Sequence, residues 1–144
     1  MLVGEYIHTI DDKKRVALPA RFRSELGKKV VITRGLDGCL FVYSEAEWNK
    51  FAGKLSEMSV GDSGSRAFNR FMLGGAVETD VDASGRVLIP DFLKTFANLN
   101  ERVVLAGVMS RVEIWNDESW KQYTGQVERE ADMLAEKLGS VGMI

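Results

Sequence analysis

The sequence predicts an α+β fold, mainly β with packed helices, made of two pseudo-two-fold-related copies of one unit. Three observations predict it. Asp11-Asp12-Lys13-Lys14-Arg15-Val16-Ala17-Leu18-Pro19 lies over Asp82-Ala83-Ser84-Gly85-Arg86-Val87-Leu88-Ile89-Pro90, with Asp, Arg, Val and Pro matching at an offset of 71. The order then continues: Val30-Val31-Ile32 lies over Val103-Val104-Leu105, and Ser44-Glu45-Ala46-Glu47-Trp48 over Asn116-Asp117-Glu118-Ser119-Trp120. Short β-branched runs bounded by turn residues alternate with helical stripes throughout. With 144 residues, 45% hydrophobic and 28% charged, the chain is globular and long enough to bury a core without disulfides.

Val3–Ile10 and Gly75–Val81 read as strands leading into the Asp-x-x-x-Arg turns. Asp opens turns because its carboxylate bonds the backbone two residues on, and Ser84-Gly85 supplies a corner that tolerates positive φ. Arg15–Leu18 and Arg86–Ile89 continue as the second strands of two hairpins. Pro19 and Pro90 stop strand pairing and suit the first turn of short helices at Arg21–Leu26 and Asp91–Ala97. Lys29–Thr33 and Arg102–Ala106 are apolar strands, returning as Leu40–Tyr43 and Val112–Trp115. Ser44 caps a helix over Glu45–Met58, and Asn116 or Asp117 caps one over Glu118–Leu138. Asp62–Ser65 reads as a linker and Arg66–Leu73 as a third short helix.

The organisation is a first repeat at 1–60, a linker and short helix at 61–74, a second repeat at 75–138 and a tail at 139–144. An edge strand of one copy can pair with the other copy, closing sheets that neither half would close as well alone.

Several function classes have no support. His8 is the sole histidine, sits in a strand and has no nucleophile at a recognisable spacing. Cys39 is the sole cysteine, which excludes an internal disulfide or thiolate zinc site. Gly74-Gly75 and Gly61-Asp62-Ser63-Gly64 lack the Lys-Ser/Thr of a phosphate-binding loop. Asp11, Asp12, Asp80 and Asp82 stand among Lys13, Lys14, Arg15 and Arg86, which would repel a cation. No catalysis, cofactor or metal is expected. The first ten residues carry no basic residue and resemble no secretory signal, and no segment is apolar enough to span a bilayer, so a cytoplasmic protein is expected.

Net charge is −2, which alone does not suggest a polyanionic partner. The distribution does. Asp11–Arg34 holds eight basic and three acidic residues, a net +5, whereas Glu113–Glu136 holds seven acidic and two basic, a net −5. A two-stranded tip is narrow enough for a DNA major groove, about 12 Å wide. An Arg there can donate two parallel hydrogen bonds to guanine, worth roughly 1–3 kcal/mol against the wrong base. The Asp four residues earlier would brace that Arg before binding. Lys13, Lys14, Arg21 and Arg23 would attract phosphates without reading sequence. The same Asp–Arg pair would equally serve as a plain surface clamp, and the motif alone leaves both open. The aromatics fall mostly on apolar faces and read as core. The stripe Trp120, Tyr123, Val127, Ala131, Leu134, Leu138 reads either as core packing or as a contact between subunits.

Paired Asp-x-x-x-Arg motifs followed by Val and Pro, with the strands Val103-Val104-Leu105-Ala106-Gly107 and Glu113-Ile114-Trp115-Asn116, resemble the MraZ transcriptional regulators of bacteria. The resemblance runs from Met1 to about Leu138. It implies a duplicated swapped-hairpin β-barrel like the domains of AbrB-type DNA-binding proteins. It also implies a homo-oligomeric ring, associated with the nucleoid, on double-stranded promoter DNA. The sites would be short direct repeats upstream of the cell-division and cell-wall operon that contains the protein's own gene. The family's DNA-contacting loops fall on Asp11–Arg15 and Asp82–Arg86. The candidate DNA-binding residues are therefore Asp11, Lys13, Lys14, Arg15, Asp82, Ser84 and Arg86, with Arg21 and Arg23 alongside. In the first loop Lys14 replaces the family's usual Gly, implying either a strained left-handed residue or a different turn. Two rival readings stand beside the regulator. One is a protein-interaction module docking a partner through the acidic, apolar-striped C-terminal helix, and the other is an enzyme of unrecognised type.

Overall fold

A computed structural model describes residues 1–144. The first half runs β1 (Val3–Thr9), β2 (Arg15–Ala17), α1 (Ala20–Leu26), β3 (Lys29–Arg34), β4 (Leu40–Ser44), α2 (Glu45–Ser56) and α3 (Ser63–Met72). The second runs β5 (Val77–Asp80), β6 (Arg86–Leu88), α4 (Asp91–Phe96), β7 (Arg102–Val108), β8 (Val112–Asn116) and α5 (Asp117–Ser140). No helix is long and apolar enough to cross a membrane.

The duplication is visible in the pairing. One antiparallel sheet has the order β1-β7-β8-β4-β3-β5, which reads the same from either end once each strand is replaced by its repeat equivalent. The pseudo-axis passes between β8 and β4, where Phe41 faces Glu113. It also crosses the separate two-stranded sheet β2·β6 at the pair Val16–Val87. The exchanged strands are β1, which pairs with β7, and β5, which pairs with β3.

Two expectations are corrected here. The segments flanking each Asp-x-x-x-Arg turn are not the two arms of an extended hairpin. Only the bridge Ile10–Val16 joins β1 to β2, and each arm finds its ladder in the other copy. The barrel does not close either: β1 and β5 remain open edges of the six-stranded sheet. In each copy the chain leaves its edge strand at the turn and crosses over the sheet face. There Leu18 N–H donates to Gly85 O and Ile89 N–H donates to Lys14 O, both at 2.8 Å, so the ladder cannot continue around.

Strand alternation sorts the core into two faces. Val30, Ile32, Leu40, Val42, Val103, Leu105, Val112 and Ile114 point to the face covered by β2·β6, α1 and α4, packing with Val16, Val87, Phe22 and Leu93. Phe41, Tyr43, Val104 and Trp115 point to the other face, under α2, α3 and the start of α5. Ser44 caps α2 and Asn116, not Asp117, caps α5. Asp62 belongs to no linker: its carboxylate accepts from Ser65 N–H and starts α3 three residues before the sequence suggested. Cys39 packs as an apolar group, fully buried with its thiol donating to Leu36 O, and burial pushes that thiol up, out of the reactive range.

Candidate nucleic-acid interface

The two turns are superimposable in chemistry. In the first, Asp11 N–H donates to Arg15 O at 3.0 Å and Lys14 N–H donates to Asp11 O at 3.0 Å. In the second, Asp82 N–H donates to Arg86 O and Gly85 N–H donates to Asp82 O, both at 2.9 Å. The Asp carboxylates complete each loop. Oδ1 of Asp11 accepts from Lys13 N–H and Arg15 N–H at 2.9 Å, and Oδ1 of Asp82 accepts from Ser84 N–H and Arg86 N–H at 2.9 Å. Oδ2 accepts from the arginine Nε, at 2.8 Å for Arg15 and 2.9 Å for Arg86. A single carboxylate thus satisfies the loop backbone and fixes the guanidinium, as the spacing of four residues requires.

The Nη groups of both arginines donate to nothing in the protein, and the side chains are 29% and 34% exposed. Neither folds into the core. Along the β2·β6 ribbon Arg15 and Arg86 stand two residues apart, roughly 7 Å of strand rise. The two loops therefore occupy opposite ends of one short ribbon.

Hydrogen bonding from the Arg15 backbone N–H, reinforced by the Arg15 side chain and Lys13 N–H, holds the Asp11 carboxyl below its ordinary 3.8 against the opposing effect of burial. Arg86 and Ser84 do the same for Asp82. A carboxyl lowered by folding stabilises above its unfolded value and loses that contribution as pH falls through the lowered one. Both carboxyls are accordingly expected to titrate below 3.8, followed by carboxylate ¹³C shifts. A midpoint at or above 3.8 would mean that these loop bonds are absent in solution.

The copies differ at the fourth loop position. Lys14 sits at φ 61° and Gly85 at φ 77°, so Lys14 adopts the left-handed conformation and the turn type is unchanged. Its ammonium pairs with Asp91 at the start of α4, in the other copy. Gly85 has no such freedom. It is buried, and a Cβ there would collide with the Arg23 guanidinium, whose Nε donates to Leu18 O at 2.9 Å. Arg23 of the first copy therefore caps the loop of the second, where Lys28 also lines the adjoining cleft.

The predicted residues thus form two groups. Lys13, Lys14 and Arg15 gather at the first loop. Ser84 and Arg86 gather at the second, joined by Arg23. Arg21 lies exposed on α1 and makes no hydrogen bond or ion pair with either loop. Asp91 and Lys28 were not singled out from sequence. Lys28 lay within the basic stretch, but the reach of Asp91 to Lys14 spans the duplication and left no local signal. His8, in edge strand β1, contacts Ala17 O through Nδ1 at 2.5 Å and stands apart from both loops.

The model of the MraZ family, described as "MraZ protein, putative antitoxin-like", matches residues 1–71 and again 72–138. Among similar proteins, one from Caldanaerobacter subterraneus subsp. tengcongensis is 49% identical over 138 residues, covering 96% of each chain. One from Thermoanaerobacter sp. is 46% identical over 143 residues, covering 99% of this chain and 100% of its own. A third, from Caldicellulosiruptor saccharolyticus, is 44% identical over the same span. All three bear the name "Transcriptional regulator MraZ". With each half matched separately and relatives this similar aligned along nearly the whole length, the chain belongs to the MraZ family.

Proposed function

We propose that the chain is a non-catalytic, sequence-specific DNA-binding transcriptional regulator. It recognises short direct repeats upstream of the cell-division and cell-wall operon containing its own gene. The relatives' shared name supports a DNA-binding regulator in the coarse sense. The observation that supports sequence recognition is the pair of Asp-braced arginines on one ribbon, each with its Nη groups unpartnered, while the direct repeats and the operon are what the family resemblance implies. Such a guanidinium is ordered before it meets DNA, and it presents the two parallel donors that guanine O6 and N7 accept. Lys13, Arg21 and Arg23 supply phosphate attraction at its flanks. In a homo-oligomeric ring, several such ribbons on successive repeats raise avidity by about 10²–10⁴ over one contact. The acidic remainder of the chain then suppresses binding to unrelated DNA.

The test is fluorescence anisotropy with duplex DNA from upstream of the gene and a scrambled control, at two salt concentrations. Preference for the upstream duplex is expected. Equal binding to both duplexes would remove sequence recognition. Lys13→Ala is expected to reduce the salt slope by about one, with sequence preference unchanged. Lys14→Ala is expected to reduce it by less, because Asp91 already neutralises that ammonium. Equal slopes for the two variants would show that the Lys14–Asp91 pair opens on DNA.

One observation favours a protein contact in addition. Helix α5 has 24 residues and none is buried, and Tyr123, Leu134 and Leu138 face solvent on one stripe. That surface suits contact between subunits of the ring.

A further inference from the structure

The sheet face opposite the DNA-directed ribbon holds two clefts that the pseudo-axis relates and that differ in charge. The first, a cavity of about 340 Å³, opens where α2 and α3 part above β4. Its floor is Phe41, Tyr43, Phe51, Phe68 and Met72. Its mouth carries Lys50, Lys54, Ser110 and Arg111, with Glu47 as the one carboxylate. The second cleft lies under the start of α5 and is lined by Glu5, Asp37, Glu113 and Glu128 around Trp115 and Tyr123, with Arg111, which borders both clefts, as its one cation. At the repeat offset of 72, Tyr43 and Phe51 correspond to Trp115 and Tyr123, but Lys50 and Lys54 correspond to Gln122 and Gln126. An aromatic wall is common to both clefts, while only the first adds two lysines to the shared Arg111, and the second sets four carboxylates against it.

Polar groups at the first cleft are left with spare donors. Tyr43 is 4% exposed, lines the cavity, and its hydroxyl has no hydrogen-bond partner in the protein. Arg111 lies 4.2 Å over the Phe41 ring and gives Nε and Nη2 to Glu113, leaving Nη1 unpaired. Lys50 pairs with Glu47 at 3.2 Å, and Lys54 forms no ion pair. The volume falls within the range of small-molecule sites, about 300–1,000 Å³. We propose that this cleft binds a small amphiphilic anion: an aromatic or medium-chain acyl body on the floor, with a carboxylate or sulfonate head held by Lys50, Lys54 and Arg111. A neutral analogue gains only the apolar part of this interaction.

The probe is 8-anilinonaphthalene-1-sulfonate, titrated into the full-length protein and followed by fluorescence, with octanoate and octanol as competitors. One saturable site per chain is expected, displaced by octanoate and far less by octanol. Lys50→Gln and Lys54→Gln are each expected to weaken it about threefold, and together about tenfold, as for exposed charge contacts. Leu36→Trp, at a 49% exposed position on the rim, is expected to fill the mouth and abolish binding. Leu134→Ser, on the exposed stripe of α5, is expected to leave it unchanged. Absence of saturable binding overturns the proposal. So does binding that Leu134→Ser removes and Leu36→Trp does not, which puts the probe on α5. A double lysine variant that alters the oligomer mass while keeping probe affinity makes the cleft a contact between copies, and equally overturns it.

Discussion

Gly85→Val is expected to destabilise the protein by about 2–3 kcal/mol and to remove DNA binding by the second loop. Two costs add. Gly85 holds φ 77°, where an L-residue costs about 1–2 kcal/mol and a β-branched one fits worst. The new side chain also occupies the place of the Arg23 guanidinium, displacing it from Leu18 O and forfeiting about 1 kcal/mol of net hydrogen bonding. For a chain of this length the sum corresponds to a fall in Tm of roughly 6–12 °C. The loop is coupled to the other copy through the Leu18 N–H to Gly85 O bond, so the damage extends to the ribbon that carries both arginines. Lys14→Gly at the equivalent position should do little. It relieves about 1–2 kcal/mol of left-handed strain, offset by about 0.4–1 kcal/mol of added unfolded-state entropy and by loss of an exposed ion pair of at most similar worth. Thermal denaturation of the two variants checks this contrast, and equal losses would contradict the assignment of Arg23 as the cap on Gly85.

Arg15→Ala and Arg86→Ala are each expected to weaken binding to the upstream duplex by about 5–150-fold, equivalent to one bidentate base contact of 1–3 kcal/mol. Binding to the scrambled duplex should fall much less, because it rests on phosphate attraction. The double variant should bind both duplexes alike. Stability should change little in either single variant, since the Asp–Arg bonds are more than a quarter exposed and such pairs contribute at most about 1 kcal/mol. Each Asp Oδ1 keeps its two backbone donors when the guanidinium is removed, so the loop itself persists. Gel-shift titration against both duplexes reads the effect. If both single variants bound the upstream duplex like the parent chain, the Asp–Arg pairs would be surface clamps and nothing more.

Much of this was legible in the chain because it is local. The repeat, the caps Ser44 and Asn116, and the strand alternation that divides Val42 from Tyr43 all follow from spacing within a few residues. The brace was legible too, because an Asp four residues before an Arg across a turn has one compact way to satisfy the loop. What escaped is non-local. An edge strand of one copy was expected to pair with the other copy, and β1 and β5 do so, but the arms of each hairpin were also expected to pair with each other, and no local pattern marks that they do not. The open edges at β1 and β5 likewise depend on where the chain crosses the sheet face. The unequal environments of Lys14 and Gly85 arise from Asp91 and Arg23, each some 60–77 residues away in sequence. The Asp62 cap was masked by a Gly/Ser run that resembles a linker, although Asp followed by Ser three residues on satisfies a helix start.

Hydrogen exchange, followed by mass spectrometry with and without the upstream duplex, tests most directly whether the two braced loops are what meets DNA. Added protection is expected in peptides covering Asp11–Arg15 and Asp82–Arg86, extending into α1 around Arg21 and Arg23, with α2, α3 and the cleft between them unchanged. Unaltered exchange at both loops in a complex shown by anisotropy to be saturated, or protection confined to another face of the sheet, would contradict it.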